Sequence, residues 1–273
     1  SHLIADTLHE LGILSVKSAQ LDTANTFLND SLNIKKQIRT KRKILSNVNM
    51  IETETETETT VSATLHQLAV VATLKREYEI AEKLLNQALA DVNNQSHNLG
   101  AYEYSKNSNN NKNKKHLVSR GAMMQQLGKV HFRRGKLQNA CICLQNALDL
   151  YSEAYGDGSQ HINIASVHHT LGNVLSAMLN HDEALEHFHK ALNIRLESLS
   201  EDHPDTLSTY AEFAQCAQCM QDVTSTSTAT AITITSDESS NNNNSKGVSV
   251  SALQLWNEQE KRIRRALLKF SRN

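Results

Sequence analysis

One pattern recurs four times along the chain and dictates most of what it can fold into. LHELGILSVKSAQLDTANTFLNDSL (8–32), LHQLAVVATLKREYEIAEKLLNQAL (65–89), MQQLGKVHFRRGKLQNACICLQNAL (124–148) and HHTLGNVLSAMLNHDEALEHFHKAL (168–192) align without a gap. Each has a large residue, a leucine three positions on, then a glycine or alanine, and an alanine twelve further along. The small residues are Gly12, Ala69, Gly128 and Gly172 in a first helix, and Ala24, Ala81, Ala140 and Ala184 in a second. Two antiparallel helices approach closely only where one presents almost no side chain to the other. A glycine inside a helix costs about 1 kcal/mol against alanine, so three at one phase require a packing reason. The leucines before them, Leu11, Leu68, Leu127 and Leu171, are expected to fill the space between successive hairpins.

A fifth copy starts at YAEFAQCAQC (210–219) and breaks into VTSTSTATAITITSDESSNNNNSKGVS, and a helical pattern resumes at LQLWNEQEKRIRRALLKF (253–270). This reads as one hairpin with about 33 extra residues in its turn, which is tolerable because loop-closure entropy grows slowly with length. The expected organisation is repeat 1 over 1–38, a low-complexity insertion over 39–60, repeat 2 over 61–92 and an Asn/Lys-rich insertion over 93–116. Repeat 3 follows over 117–155, repeat 4 over 162–199, and repeat 5 as 205–222 and 252–271 around a Ser/Thr/Asn-rich insertion at 223–251. The insertions are too polar to repay the entropy of ordering, so they are expected as disordered loops. AITIT (231–235) is a short β-prone run within them.

One proline and 4% aromatic residues in 273 suit helices better than a sandwich or barrel. A formal net charge of -1 gives no global basic field to draw the molecule onto nucleic acid or anionic lipid. No apolar stretch approaches the roughly 18 residues of a spanning helix. The four cysteines, Cys141, Cys143, Cys216 and Cys219, sit in two close pairs inside helical patterns and read as reduced thiols. A soluble intracellular protein, starting at a serine as a fragment of a longer chain would, is the expectation.

The repeated hairpin resembles the tetratricopeptide repeat. From Gly128 to Gly172 is 44 residues and from Gly172 to Ala214 is 42, longer than the usual 34. Kinesin light chain repeats share that longer period and a linker of the form GEDHP; SEDHPDT (200–206) is similar to it, and YGDGSQHINIA (155–165) looks like a degenerate copy. The resemblance implies an all-α, right-handed superhelical solenoid of antiparallel hairpins whose first helices line a concave groove. The groove positions it implies are His9, Ile13 and Lys17, then His66, Val70 and Thr73, then Gln125, Lys129 and Arg133. His169, Asn173 and Ser176 follow, and Ala211, Gln215 and Gln218 close the series. It also implies a non-enzymatic adaptor in the cytoplasm, associated with microtubules, with kinesin heavy chain or cargo as partners and no cofactor. Where the family reads LNNLA, this chain has His-Glu, His-Gln, Gln-Gln, His-Thr and Ala-Glu in place of the paired asparagines, so cargo specificity does not carry over.

Lys17, Lys129 and Arg133 have no acidic residue among those groove positions, so an extended segment bearing Asp or Glu is one reading of the ligand, and solvation of an empty groove is the other. With histidine at three equivalent positions (His9, His66, His169), acidification below about pH 6.5 is expected to charge the groove. The alternative function is the repeat arm of a larger signalling or chaperone-associated protein. An enzyme reading would need Cys216 and Cys219 as a redox or metal pair, or His168, His169, His181, His187 and His189 as ligands. Zinc wants four ligands and a redox CxxC wants a strand before its helix, so helix packing is the preferred account of the pair. No HExxH string, phosphate loop or nucleophile elbow occurs. The basic run Lys35, Lys36, Arg39, Lys41, Arg42 and Lys43, followed by Glu52, Glu54, Glu56 and Glu58, reads as a nuclear-import signal, as a contact for acidic surfaces, or as a helix end running into a solvated loop.

Overall fold

The computed structural model describes residues 2–49, 59–99 and 109–234. All regular structure among them is helical: α1 (His2–Lys17), α2 (Leu21–Asn49), α3 (Thr59–Leu74), α4 (Tyr78–Leu99), α5 (Asn109–Arg133), α6 (Leu137–Tyr155), α7 (Ile162–Ala177), α8 (His181–Ser198) and α9 (Pro204–Ile234). The chain divides into two compact units, Ser1–Ala154 and Tyr155–Asn273. The first holds hairpins α1/α2, α3/α4 and α5/α6, and the second holds hairpin α7/α8 with α9 packed on α8.

Within each hairpin the small residue lies where the helices meet. A Cβ on Gly12 would stand 2.5 Å from Leu28 Cγ, one on Gly128 2.6 Å from Leu144 Cγ, and one on Gly172 2.6 Å from Phe188 Cε1. No carbon pair tolerates that approach, so these glycines are required by their partners' bulk. Ala24, Ala81, Ala140 and Ala184 are fully buried at the matching places in the second helices, and Leu28, Leu85, Leu144 and Phe188 are among the largest fully buried side chains.

The four turns share one construction. The residue at the same frame position in each, Ala19, Arg76, Gly135 or Leu179, has φ of 58°, 63°, 72° or 63°. The amide one residue on returns to the carbonyl five back: Gln20 to Ser15 at 2.9 Å, Glu77 to Ala72 at 2.8 Å, Lys136 to His131 at 2.9 Å and Asn180 to Leu175 at 3.0 Å. This is the Schellman closure, which satisfies the last carbonyls of a helix through one left-handed residue. Only repeat 3 places glycine there.

The two linkers in the second unit also match. His161 Nδ1 accepts from the Asn163 amide at 3.2 Å, and His203 Nδ1 accepts from the Asp205 amide at 3.2 Å, so each imidazole caps the helix that follows. Tyr155 stacks on His161 with centroids 3.7 Å apart. The degenerate linker therefore keeps the capping histidine of the clear one.

Helix ends depart from the expected boundaries. α2 continues to Asn49 through the stretch expected as insertion from 39, α4 runs to Leu99 rather than 92, and α5 begins at Asn109 rather than 117. α9 extends to Ile234, so Ala231–Ile234 of the β-prone run is helical. The reason is that propagating a nucleated helix adds one hydrogen bond per residue fixed, and no Gly or Pro interrupts these stretches. The Thr/Glu tract from Glu52 to Glu58 and the second half of repeat 5 (252–271) lie outside the described residues.

Two stability changes follow from this packing. Gly128→Leu is expected to destabilise the fold by about 3 kcal/mol, since Leu144 has no room to yield, as read by chemical denaturation. At the turns, Gly135→Ala should cost about 1 kcal/mol although nothing lies within 4 Å of its Cβ, and Leu179→Gly should gain up to about 1 kcal/mol, by the same measurement.

Candidate peptide-binding face

In the first unit the first helices of successive hairpins adjoin. His9 Nδ1 on α1 is 3.2 Å from Thr64 Oγ1 on α3, and Gln126 Nε2 on α5 donates to Thr73 Oγ1 on α3 at 3.2 Å. Along this face Lys17 and Arg133 are exposed, while His9, Ile13, His66, Val70, Thr73 and Lys129 are half-buried. Gln125 does not join them. It is buried, and the Tyr151 hydroxyl donates to its Oε1 at 3.3 Å from the second helix of its own hairpin. Tyr151 reaches that far because Gly121 presents no Cβ under its ring, a compensation the repeat frame does not reveal.

Charge on this face comes from lysine and arginine rather than from histidine. Burial, reinforced by the Lys129 ammonium, pushes the His66 pKa down to about 4. His9 is also lowered, first by burial and then by Lys35, against the opposing pull of Glu10 and Asp6. The expected charging of these imidazoles near pH 6.5 is therefore corrected. Asp6 and Glu10 also place negative charge beside repeat 1, which leaves Lys129 and Arg133 of repeat 3 as the cationic stretch of the face.

In the second unit His169, Asn173 and Ser176 are half-buried on α7, with Asn173 Nδ2 3.3 Å from His169 Nε2 and the His169 ring edge-on to Phe188. Ala211, Gln215 and Gln218 are exposed on α9. His168 and His187 meet across α7 and α8, Nδ1 to Nδ1 at 2.8 Å. Both are pushed down to about 4, chiefly by burial, then by His187 and Lys190 for His168, and by Lys190 against the opposing pull of Glu183 for His187. A short nitrogen-to-nitrogen contact of this kind is a hydrogen bond that one neutral ring donates to the other.

The remaining candidates are accounted for by packing. Cys216 is buried and Cys219 exposed. The Cys216 thiol, 3.5 Å from His181 Nδ1, is pushed up to about 11, first by burial, which is opposite to what a reactive thiolate needs. No group of three or more His, Cys, Asp or Glu side chains among the described residues could hold a metal ion. The basic run lies on α2 rather than in a loop. Lys35 is buried, its Nζ 3.2 Å from Asp6 Oδ1 and 3.2 Å from Thr64 Oγ1, and Arg39 pairs with Asp91 of α4. Lys36 and Lys41 are exposed.

The lowered histidines carry a sign for stability. Each takes up a proton near pH 6.5 when unfolded but only near pH 4 when folded, so its contribution is complete above pH 6.5 and is lost as pH falls toward 4. Denaturation midpoints should fall over that window, by on the order of 1 kcal/mol per histidine after solvent screening, and His66→Gln should remove part of the slope.

Residues 121–162 and 163–223 each match a tetratricopeptide repeat family model. No curated protein matches the chain by sequence. Among solved structures, a Podosopora anserina protein of kinesin-light-chain type with nearly identical TPR-like repeats superposes with a TM-score of 0.56 at 16% identity, covering 98% of this chain and 97% of that one. A single-substitution variant of that protein gives 0.55 at 16% identity, over 98% and 96%. BtubC (BKLC) from P. vanneervenii gives 0.58 at 14% identity, over 90% and 87%. Residues 121–223 are thus tetratricopeptide repeats, and the chain shares the all-helical hairpin fold of the kinesin-light-chain-like repeat proteins it resembles.

Proposed function

We propose that this chain is a non-enzymatic scaffold that binds an extended, acidic segment of a partner protein along its first-helix face. The observation that carries the reading is the placement of Lys129 and Arg133 one helical turn apart on that face, where half-buried neutral histidines offer hydrogen bonds without competing charge. An extended peptide matches such a face in the first unit because its backbone groups are free to pair with side chains such as His66 and Thr73 while its carboxylates meet the cations. The repeat period and the fold similarity support an adaptor of kinesin-light-chain type, with cargo or a kinesin heavy chain as partners and a working place on cytoplasmic microtubules. No described helix is long and apolar enough to cross a membrane.

The test is fluorescence anisotropy with a labelled extended peptide of alternating Asp and apolar residues. Lys129→Glu with Arg133→Glu is expected to weaken binding at least about tenfold, roughly 1.4 kcal/mol, and added salt to weaken the native complex. Affinity should stay level from pH 8 to 5.5, because His66 titrates only near 4. Unchanged affinity in the double variant overturns the acidic-ligand reading.

A further inference from the structure

Every first helix carries a stripe that is distinct from the position packed on its own second helix. In α3 it is Val61, Thr64, Leu68 and Val71, at 4%, 0%, 4% and 1% exposure. The same frame positions are buried in α7 (Ile164, Val167, Leu171, Val174) and in α9 (Thr206, Thr209, Phe213, Cys216). In α1 they are Ile4, Thr7, Leu11 and Leu14, and here Ile4, Leu11 and Leu14 are 54%, 40% and 56% exposed. Leu11 thus departs from the expectation that all four repeat leucines fill space between hairpins.

What covers this stripe elsewhere is visible at two junctions. On α3 it is α2: Leu28 and Leu32 share a core with Val61, Leu65 and Leu68, and Lys35 Nζ donates to Thr64 Oγ1 at 3.2 Å. On α9 it is α8, where the buried Arg195 donates to Thr209 Oγ1 and to the Asp205 carbonyl. Lys35 and Arg195 occupy one place in the repeat, and Thr64 and Thr209 occupy another. Where repeats 2 and 3 join, both places are apolar, Val92 and Met123, and both are buried. A cation therefore accompanies threonine, and an apolar residue accompanies an apolar one. Thr7 is the third threonine at that place. Its hydroxyl donates to the Leu3 carbonyl at 2.6 Å, as Thr209 donates to the Asp205 carbonyl at 2.8 Å, so its oxygen can still accept as Thr209 accepts from Arg195.

We infer that the outer stripe of α1 is the docking surface for the second helix of one further hairpin of the same repeat type, joined ahead of α1 in sequence. That helix lays apolar side chains over Ile4, Leu11 and Leu14 and donates from a Lys or Arg to Thr7. The source is a preceding hairpin because, at both junctions just described, the covering helix is the one immediately before in sequence. A terminal solenoid helix left to solvent normally shows a polar outer face, and this one shows leucine and isoleucine.

The chain contains a hairpin with the required second helix, α1/α2 itself, and this provides the test. Residues 1–58 are duplicated ahead of Ser1 in the full chain, so that a second α2 precedes α1 through its natural connection. The thermal midpoint is expected to rise by about 3 °C or more, since solenoid stability sums nearest-neighbour interfaces. Leu11→Asp in the original α1 should cancel the rise in the extended chain while moving the unextended chain by less than about 1 °C, with helicity retained by circular dichroism. Lys35→Met in the added copy should remove part of the rise. No rise on extension overturns the inference. So does light scattering that shows the unextended chain to be a dimer which Leu11→Asp makes monomeric, because a second copy would then be the occupant.

Discussion

The absence of a methyl group at one position sets the distance between the helices of three hairpins, and the use of every other helix face follows from it. With Gly12, Gly128 and Gly172 pressed against Leu28, Leu144 and Phe188, each first helix has one rotational setting. At about 100° per residue, the leucine just before the glycine must then point away from its own partner and toward the neighbouring hairpin. The positions three before and one after the glycine fall on a further side, where His9, Ile13, His66 and Lys129 lie. A single steric contact therefore assigns hairpin packing, stacking and the remaining first-helix face together. In repeat 2 the same place is held by a fully buried alanine, Ala69, so that hairpin accommodates a methyl there.

The same dependence on residue size decides which parts of the structure were legible in the sequence. The hairpins, their phase and the buried alanines were readable because each depends on a small or large side chain at a fixed spacing. Helix lengths were not, because composition reports whether a segment can repay its ordering and says little about how far a nucleated helix propagates into polar residues such as 39–49. The turns were hidden because Ala19, Arg76 and Leu179 do not advertise a left-handed backbone, and only Gly135 does. On the first-helix face, Lys17 and Arg133 are exposed and Lys129 is half-buried. Gln125 is buried instead, because whether a frame position is open depends on a neighbour, Tyr151, whose reach is set by Gly121. The pairing of Lys35 with Thr64 and of Arg195 with Thr209 was present in the aligned repeats as a correlated change, and a comparison of adjacent repeats rather than equivalent ones would have exposed it.

Histidine behaves here as a polar spacer rather than a charge. His66, His168 and His187 sit where water is scarce and a cation is near, and both conditions disfavour the protonated ring. On the first-helix face of the first unit, His66 thereby offers hydrogen bonds across the physiological pH range without adding charge. The electrostatics of that face then come from lysine and arginine side chains such as Lys129 and Arg133.

The buried cations act differently, because their value lies in what they exclude. Lys35 has left water for Asp6 and Thr64, and its pKa is lowered by burial even though Asp6 opposes the shift. Such a pair adds little net stability over a well-packed apolar one, yet removing one partner leaves a buried charge uncompensated. If α2 were stacked on α5 instead of α3, Lys35 would keep Asp6 of its own hairpin but face Met123 in place of its threonine acceptor. If a helix with valine at the place of Val92 covered α3 instead of α2, Thr64 would lose the Lys35 ammonium as a donor. The alternation of cation-threonine and apolar-apolar junctions thus makes neighbouring hairpins non-interchangeable although their helices are built to one plan. Repeats that pack by the same glycine contact would otherwise stack in any order, and the junction chemistry restricts which hairpins can adjoin.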